Sequence, residues 1–412
     1  MKFFIKTFGC RVNQVESQAL LENCRRHGWQ QTPLFEEADI CLLNTCTVTH
    51  QADKDVEKQI RQILRRNPAA RLVLTGCYAA AHQEHIRQTF PQVQIVGKYD
   101  LGKALFGTED LCWTVSGHEG HSRAFIKIQD GCDCFCSYCI VPFARPDKRS
   151  KPAADVLREI AALEQKGFAE IVLTGINIGN YLCPQTGADL AALCRQIAQM
   201  PGRFRVRFSS IELQTVTDGV IDCMSSRPDR FCNYFHLPLQ AGCDKVLKDM
   251  NRHYDTLAYR AKVALLCSRV PGIAIFADVI AGFPTETEAD FEETFSFIKN
   301  LRLAGLHVFS YSPRPKTKAA LLPQLPHEEI KRRADKLREL DKQLRAAEAA
   351  SLIGTRQEVF IETWHEGWVK GVTSNFQQVL LRGAPQGAKG LVTAEIEQAQ
   401  EGVCLGRYIC RL

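Results

Sequence analysis

The stretch Gly131–Pro142, GCDCFCSYCIVP, constrains this chain more than any other. Cys132, Cys136 and Cys139 stand at i, i+4 and i+7, so three thiolates of one short loop can converge on a point. Iron–sulfur clusters are held by such thiolates, usually four per cubane, and three ligands leave one iron open to a small molecule. The alternative is a structural zinc site, but zinc prefers four closed ligands and no fourth stands nearby. Cys134-x-Cys136 offers a second way to count. The 132/136/139 set is adopted, with Cys134 a bystander.

The chain has 412 residues, 45% hydrophobic and 24% charged, enough for two or three domains with substantial cores. No apolar run reaches the roughly 18 residues of a membrane span, and MKFFIKTFGC turns polar too soon for a signal peptide. The expectation is a cytoplasmic protein with no membrane partner. Disulfide frameworks belong to small secreted chains, so the 18 cysteines point to metal or cluster ligation for a subset and small core residues for the rest. A balance of 52 basic to 46 acidic residues permits nucleic-acid binding without arguing for it.

Residues 1–115 alternate strand and helix patterns: Lys2–Phe8, helix Gln14–His27, Asp39–Asn44, helix Ala52–Arg66, then Arg71–Thr75. Short apolar runs between helices predict a parallel, doubly wound sheet, with ligands outside the carboxyl ends of its strands. Cys10, Cys46 and Cys77 each fall just past a strand end, which favours a second cluster over three separate core thiols. Cys24 and Cys41 read as core. Helix Ala52–Arg66 carries an apolar stripe (Val56, Ile60, Ile63, Leu64) and a basic one (Lys54, Lys58, Arg61, Arg65). The basic stripe is either a solvated face or a track for phosphates.

Gly102, Gly107, Gly117 and Gly120 mark a boundary. Six strand-like runs follow, at 124–129, 170–174, 205–210, 234–239, 274–281 and 306–311, with helical patterns between them. Six βα repeats, not eight, predict a partial parallel barrel over residues 116–350, its site at the C-terminal strand ends. Those ends carry the cysteine loop, Gly175 and Asn177, Ser210 and Glu212, Gln240, Asp278 with Gly282, and Tyr311 before Arg314. Thr285 before Glu288 is a capping-box candidate. His327–Ser351 reads as an amphipathic helix. Residues 351–412 change to short strands with glycine turns, a small all-β barrel of an architecture often used on RNA. Its charge is balanced, and Trp364, Trp368 and Phe376 offer rings for base stacking or for the barrel core.

The order Cys132-x3-Cys136-x2-Cys139 after a first barrel strand resembles the radical S-adenosylmethionine (SAM) superfamily. TGINIGNY (174–181), RFSSIE (207–212), HLPLQAGCDKVLKDMNR (236–252), ADVIAGFPTETEADF (277–291) and FSYSPRPKTKA (309–319) resemble its methylthiotransferases. TFGCRVNQVES, NTCTVT and TGCYA match that family's three auxiliary-cluster cysteines, and the C-terminal segment looks like a TRAM domain. TFGCRVNQVES and NTCTVTHQADKDVEKQIR look most like the branch acting on threonylcarbamoyladenosine 37 of tRNA. The isopentenyladenosine branch and the branch modifying an aspartate of ribosomal protein S12 start differently. Pro146, Ala241-Gly242-Cys243 and Lys316 depart from the family pattern.

The resemblance implies two 4Fe–4S clusters, one on Cys132, Cys136 and Cys139, the other on Cys10, Cys46 and Cys77. It implies SAM cleavage to a 5′-deoxyadenosyl radical, sulfur delivered through the second cluster and a methyl group from a second SAM. Tyr138 is expected on the SAM adenine, Gly175 and Asn177 at the methionine end, and Ser210, Glu212 and Gln240 on ribose or substrate. Asp278 is the catalytic candidate, Arg314, Lys316 and Lys318 the holders of tRNA phosphates, with Phe376 a nucleic-acid contact. Implied partners are the tRNA anticodon loop, a low-potential electron donor such as a flavodoxin or ferredoxin, and a sulfur donor.

Overall fold

A computed structural model describes residues 1–411 other than 110, 118–121 and 366, so the boundary glycine Gly120 lies outside the described residues. The chain packs as two units. One is Met1–Ser116 with Asp130–Arg149 and Ser312–Leu321; the other is Gly117–Gln129, Ser150–Tyr311 and Leu322–Leu412. The cysteine loop therefore belongs to the same unit as the N-terminal sheet.

The first unit runs β1 (Lys2–Thr7), α1 (Arg11–Arg26), β2 (Gln30–Gln31), β3 (Ile40–Thr45), α2 (His50–Arg66), β4 (Arg71–Thr75), α3 (Gly76–Ala81), α4 (Gln83–Thr89), β5 (Gln94–Ile95) and α5 (Leu101–Phe106). All its strand pairs are parallel, in the order β2-β1-β3-β4-β5. Adjacent residues of one strand feed opposite faces, as the period of two demands. Leu43 and Leu74 pack with Val56, Ile60 and Ile63 of α2, while Leu42 and Val73 pack with Leu20, Leu21 and Cys24 of α1. Strand order reverses between β1 and β3, since β2 is added on one side of β1 and β3 on the other, and in such sheets the ligand crevice lies at the C-terminal ends of those strands. Helix α2 starts where the Thr49 side chain accepts from Ala52 N at 3.2 Å, and it ends at Asn67 before Pro68. Its basic stripe is exposed; Arg61 pairs with Glu57 at 2.8 Å.

The second unit contributes six parallel strands: β6 (Ala124–Asp130), then, past the two-residue β7 (Arg149–Ser150), β8 (Glu170–Gly175), β9 (Arg205–Phe208), β10 (Tyr234–His236), β11 (Ala274–Ala281) and β12 (Gly305–Ser310). They form two sheets, joined by the parallel bridges Val206–Phe231 and Ser210–His236 into one arc. Ile126, Ile128, Ile171, Leu173, Val206, Phe208, Ile275 and Val279 face the surrounding helices. The alternate residues face the inside of the arc. The capping box forms two residues later than expected, from Thr287 and Asp290, because the Thr285 hydroxyl donates instead to Asp249 at 2.6 Å.

The C-terminal strands β13 (Arg356–His365), β14 (Trp368–Thr373), β15 (Gln378–Arg382), β16 (Leu391–Gln400) and β17 (Val403–Arg411) close a barrel around Val359, Ile361, Val369, Val379, Leu381, Val392 and Ile396. It is fastened to the N-terminal ends of the arc's strands. Buried Glu170 accepts from Arg205 at 2.7 Å and Arg207 at 3.0 Å, and pairs with Arg123 at 3.3 Å. Arg205 also donates to Val372 O at 3.0 Å, and Arg207 to Thr373 O at 3.1 Å and Ser374 O at 3.0 Å. Phe376 is corrected by this packing: its ring lies 4.8 Å from that of Tyr234 and 5.0 Å from the Arg207 guanidinium. That contact leaves the ring half-buried against protein. Trp364 and Trp368 are the exposed rings.

Candidate metal centres and cofactor pocket

The parallel register carries the ends of β1, β3 and β4 to one edge, so Cys10 at the start of α1, Cys46 after β3 and Cys77 in the first turn of α3 gather there. Cys46 and Cys77 are buried and Cys10 is exposed. Two glycines keep the room. A methyl on Gly9 would stand 2.6 Å from the Cys46 sulfur, and one on Gly76 2.5 Å from Thr45 O, and both glycines have positive φ. Burial pushes the Cys46 thiol up to about 11, with Cys77 and Cys10 adding to the rise. Three thiols carried to one sheet edge by three separate strands are the donor set of a three-cysteine iron–sulfur cluster with one open iron.

The loop after β6 begins at Gly131, whose φ of +75° and close approach to Asp147 O admit no side chain. A turn closed by Cys139 N donating to Cys136 O at 3.0 Å brings those two residues together, and Ala319 N pins Ser137 O at 2.9 Å. Cys132, Cys134, Cys136, Cys139 and Tyr138 are all half-buried. Beyond Cys139 the chain forms α6 (Val141–Ala144), whose Ala144, with Ile140, packs on Cys77 and Ala81. Arg145 then reaches the Cys10, Cys46 and Cys77 edge and donates to the Cys77 sulfur at 3.1 Å. Burial raises the Cys77 thiol, and the Arg145 guanidinium offsets part of that rise.

In the second unit, Gly175 closes β8 where a methyl would meet Gln129 O at 2.8 Å. Asn177 N is held by the Gln129 side chain at 2.8 Å, while Asn177 Oδ1 and Ser209 Oγ are buried without a hydrogen-bond partner. A buried acceptor with nothing to accept is a costly arrangement that an ammonium group of a ligand relieves, so these strand ends fit an amino-acid moiety such as that of SAM. Ser210 bridges to His236, Glu212 pairs with Arg252, and Gln240 is buried with its N–H on Asp278 O at 2.7 Å. Asp278 lies 2.7 Å from His236 Nε2 and 3.4 Å from His307 Nδ1. Burial works against its charge, but the two imidazoles outweigh it and bring its carboxyl down to about 2.

The structure corrects Arg314. Its guanidinium is buried against Asp53 at 2.6 Å and Thr47 O at 3.3 Å, a tie within the first unit that leaves nothing for a phosphate. Lys316 and Lys318 remain exposed, Lys316 with a φ of +68° in a position where the family pattern has glycine. Sequence reasoning missed Arg145, Gly9, Gly76, His236 and His307. The Gly-Cys pairs at 9–10 and 76–77 were a legible signal for the glycines; nothing local marked the others.

Comparison with known proteins agrees with this arrangement. The model described as "Uncharacterized protein family UPF0004" matches residues 2–97, and the radical SAM superfamily model matches residues 126–298. Threonylcarbamoyladenosine tRNA methylthiotransferase MtaB of Bacillus subtilis (strain 168) is 35% identical over 432 residues, covering 98% of this chain and 95% of that protein. A tRNA-2-methylthio-N(6)-dimethylallyladenosine synthase of Endomicrobium trichonymphae is 31% identical, covering 99% of this chain and 100% of that protein. Among solved structures, the radical SAM methyltransferase TsrM of Kitasatospora setae superposes with a TM-score of 0.56 at 13% identity, over 78% of this chain and 77% of that one, a likeness of fold alone. Among the described residues no helix is long and apolar enough to cross a membrane. With both family models matched and relatives aligned over nearly the full chain, the chain belongs to the radical SAM methylthiotransferase family, in its MtaB-like branch.

Proposed function

We propose that this protein methylthiolates C2 of N6-threonylcarbamoyladenosine at position 37 of tRNA. The observation that carries the reading is the packing of two cysteine triplets into one unit, in a chain 35% identical over nearly its full length to an enzyme of that name. Cys132, Cys136 and Cys139 would hold one 4Fe–4S cluster, and Cys10, Cys46 and Cys77 the other. When bound, the clusters and two SAM molecules supply the electron, the radical, the sulfur and the methyl group of the reaction.

The chain's own residues bind and orient. Asn177 Oδ1 would accept from the methionyl ammonium, and Gly175 would keep the strand end open beside it. Tyr138 is assigned to the SAM adenine, and Ser210, Glu212 and Gln240 to ribose or substrate. Asp278, held ionised by His236 and His307, forms a fixed polar wall inside the arc. Lys316 and Lys318 hold tRNA phosphates. We divide the chain into a methylthiotransferase N-terminal domain (1–115), a radical SAM core (116–350) and a TRAM domain (351–412). A flavodoxin or ferredoxin as electron donor, a separate sulfur donor and a cytoplasmic location complete the reading.

Mass spectrometry of total tRNA nucleosides from a deletion strain tests it. The 2-methylthio form of threonylcarbamoyladenosine disappears and the unmethylthiolated form accumulates. An intact 2-methylthio form overturns the proposal, and loss of the dimethylallyl derivative instead assigns the other substrate.

A further inference from the structure

Arg145 is the buried group whose partners are most fully specified. A guanidinium carries five N–H donors, and here each has its own acceptor. Nε–H points at the Cys77 sulfur at 3.1 Å, Nη1 donates to Glu16 Oε1 at 2.7 Å and Asp130 Oδ1 at 2.8 Å, and Nη2 to Glu16 Oε2 at 2.9 Å and Asn13 Oδ1 at 2.8 Å. Four donors committed to oxygen leave the fifth no freedom to turn from sulfur. Lys98, 2.8 Å from Glu16 and also paired with Asp130, balances the second carboxylate, so two cations meet two anions. All of these residues belong to the first unit.

We infer that Arg145 is a positioning residue of the Cys10/Cys46/Cys77 centre, contributed by the arm that follows the other cysteine loop, and that its N–H to the Cys77 sulfur sets that centre's reduction potential. This rests on the cluster assignment above. Reduction adds negative charge to a cluster, and a donor and a positive charge at a ligand sulfur stabilise the reduced form. Removing Arg145 also takes away one of the two cations, Arg145 and Lys98, that face Glu16 and Asp130. Both effects move the potential in the negative direction.

The test uses the full-length chain carrying Cys132→Ala, Cys136→Ala and Cys139→Ala, in which only the auxiliary centre reports. Arg145→Met and Arg145→Lys are added singly. After anaerobic reconstitution, iron is counted and the potential read by titration followed by electron paramagnetic resonance. The parent holds about four irons per chain. The potential shifts negative in the Met variant and less so in the Lys variant, which keeps the charge. A loaded Met variant with an unshifted potential overturns the inference. Should the Met variant fail to load, the Lys variant decides by the same criterion. Failure of both to load supports the inference if their circular dichroism is native, whereas an unfolded Lys variant assigns Arg145 to folding and overturns it. A parent that binds no iron defeats the cluster assignment itself, a separate result.

Discussion

Gly9→Ala measures how tightly the fold holds the auxiliary thiols. The added methyl would stand 2.4 Å from Cys46 Cβ and 2.6 Å from its sulfur. Carbon atoms rest at about 3.5–4.0 Å, so Cys46 must move by about 1 Å. The backbone at Gly9, with φ +98°, adds about 1–2 kcal/mol of strain for any side chain, and overpacking adds about 1–3 kcal/mol. The sum, about 2–5 kcal/mol, falls on the residue whose sulfur must stay in place. Gly28→Ala is the control: its φ is +76° but nothing lies within 4 Å, so it carries the backbone strain without the collision. Anaerobic reconstitution should give about eight irons in wild type and in Gly28→Ala, but about four in Gly9→Ala. SAM cleavage should persist in Gly9→Ala while methylthiolated tRNA is lost. Eight irons and full product in Gly9→Ala, or an equal loss in Gly28→Ala, refutes the reasoning.

Three further outcomes follow from the same structure. Asp278 has its carboxyl depressed from 3.8 to about 2, which makes its charged contacts stabilising above the unfolded value and lost as pH falls through about 2; Asp278→Asn should cost about 2 kcal/mol in denaturant melts at pH 7 and little at pH 2. Lys316→Ala with Lys318→Ala should weaken tRNA binding and reduce the salt slope of its affinity by about 2, whereas Arg314→Ala should destabilise the protein and leave that slope alone. Glu170→Gln removes the buried carboxylate that three arginines share, leaving Arg205 with Glu358, Arg123 with Glu362 and Arg207 with backbone carbonyls; it should cost about 3–5 kcal/mol in unfolding experiments, loosening the C-terminal barrel in hydrogen exchange.

What was legible in the sequence was periodic. Strands such as Arg71–Thr75 and helices such as His327–Ser351 show their period over enough residues to be placed, and the cysteines stood out by following strand ends. Helices α3 and α4 and the two-residue strands β2 and β5 are too short to display a period. Charged residues were the main source of error. Arg314 reads as a surface cation because its partner Asp53 is far away in sequence, and only the fold makes them a buried pair. Arg145 is hidden for the same reason, its acceptors coming from Asn13, Glu16, Cys77 and Asp130. Phe376 needed the barrel's docking on Arg207 to show that it faces protein.

The central claim is a division of labour between the two thiol sets, and one paired assay addresses it. Full-length protein with Cys132, Cys136 and Cys139 changed to alanine, and its counterpart with Cys10, Cys46 and Cys77 changed, are each given SAM, a strong reductant and tRNA bearing threonylcarbamoyladenosine. The first should release no 5′-deoxyadenosine; the second should release it and leave the nucleoside unmethylthiolated. Undiminished SAM cleavage by the first, or methylthiolated product from the second, contradicts the account.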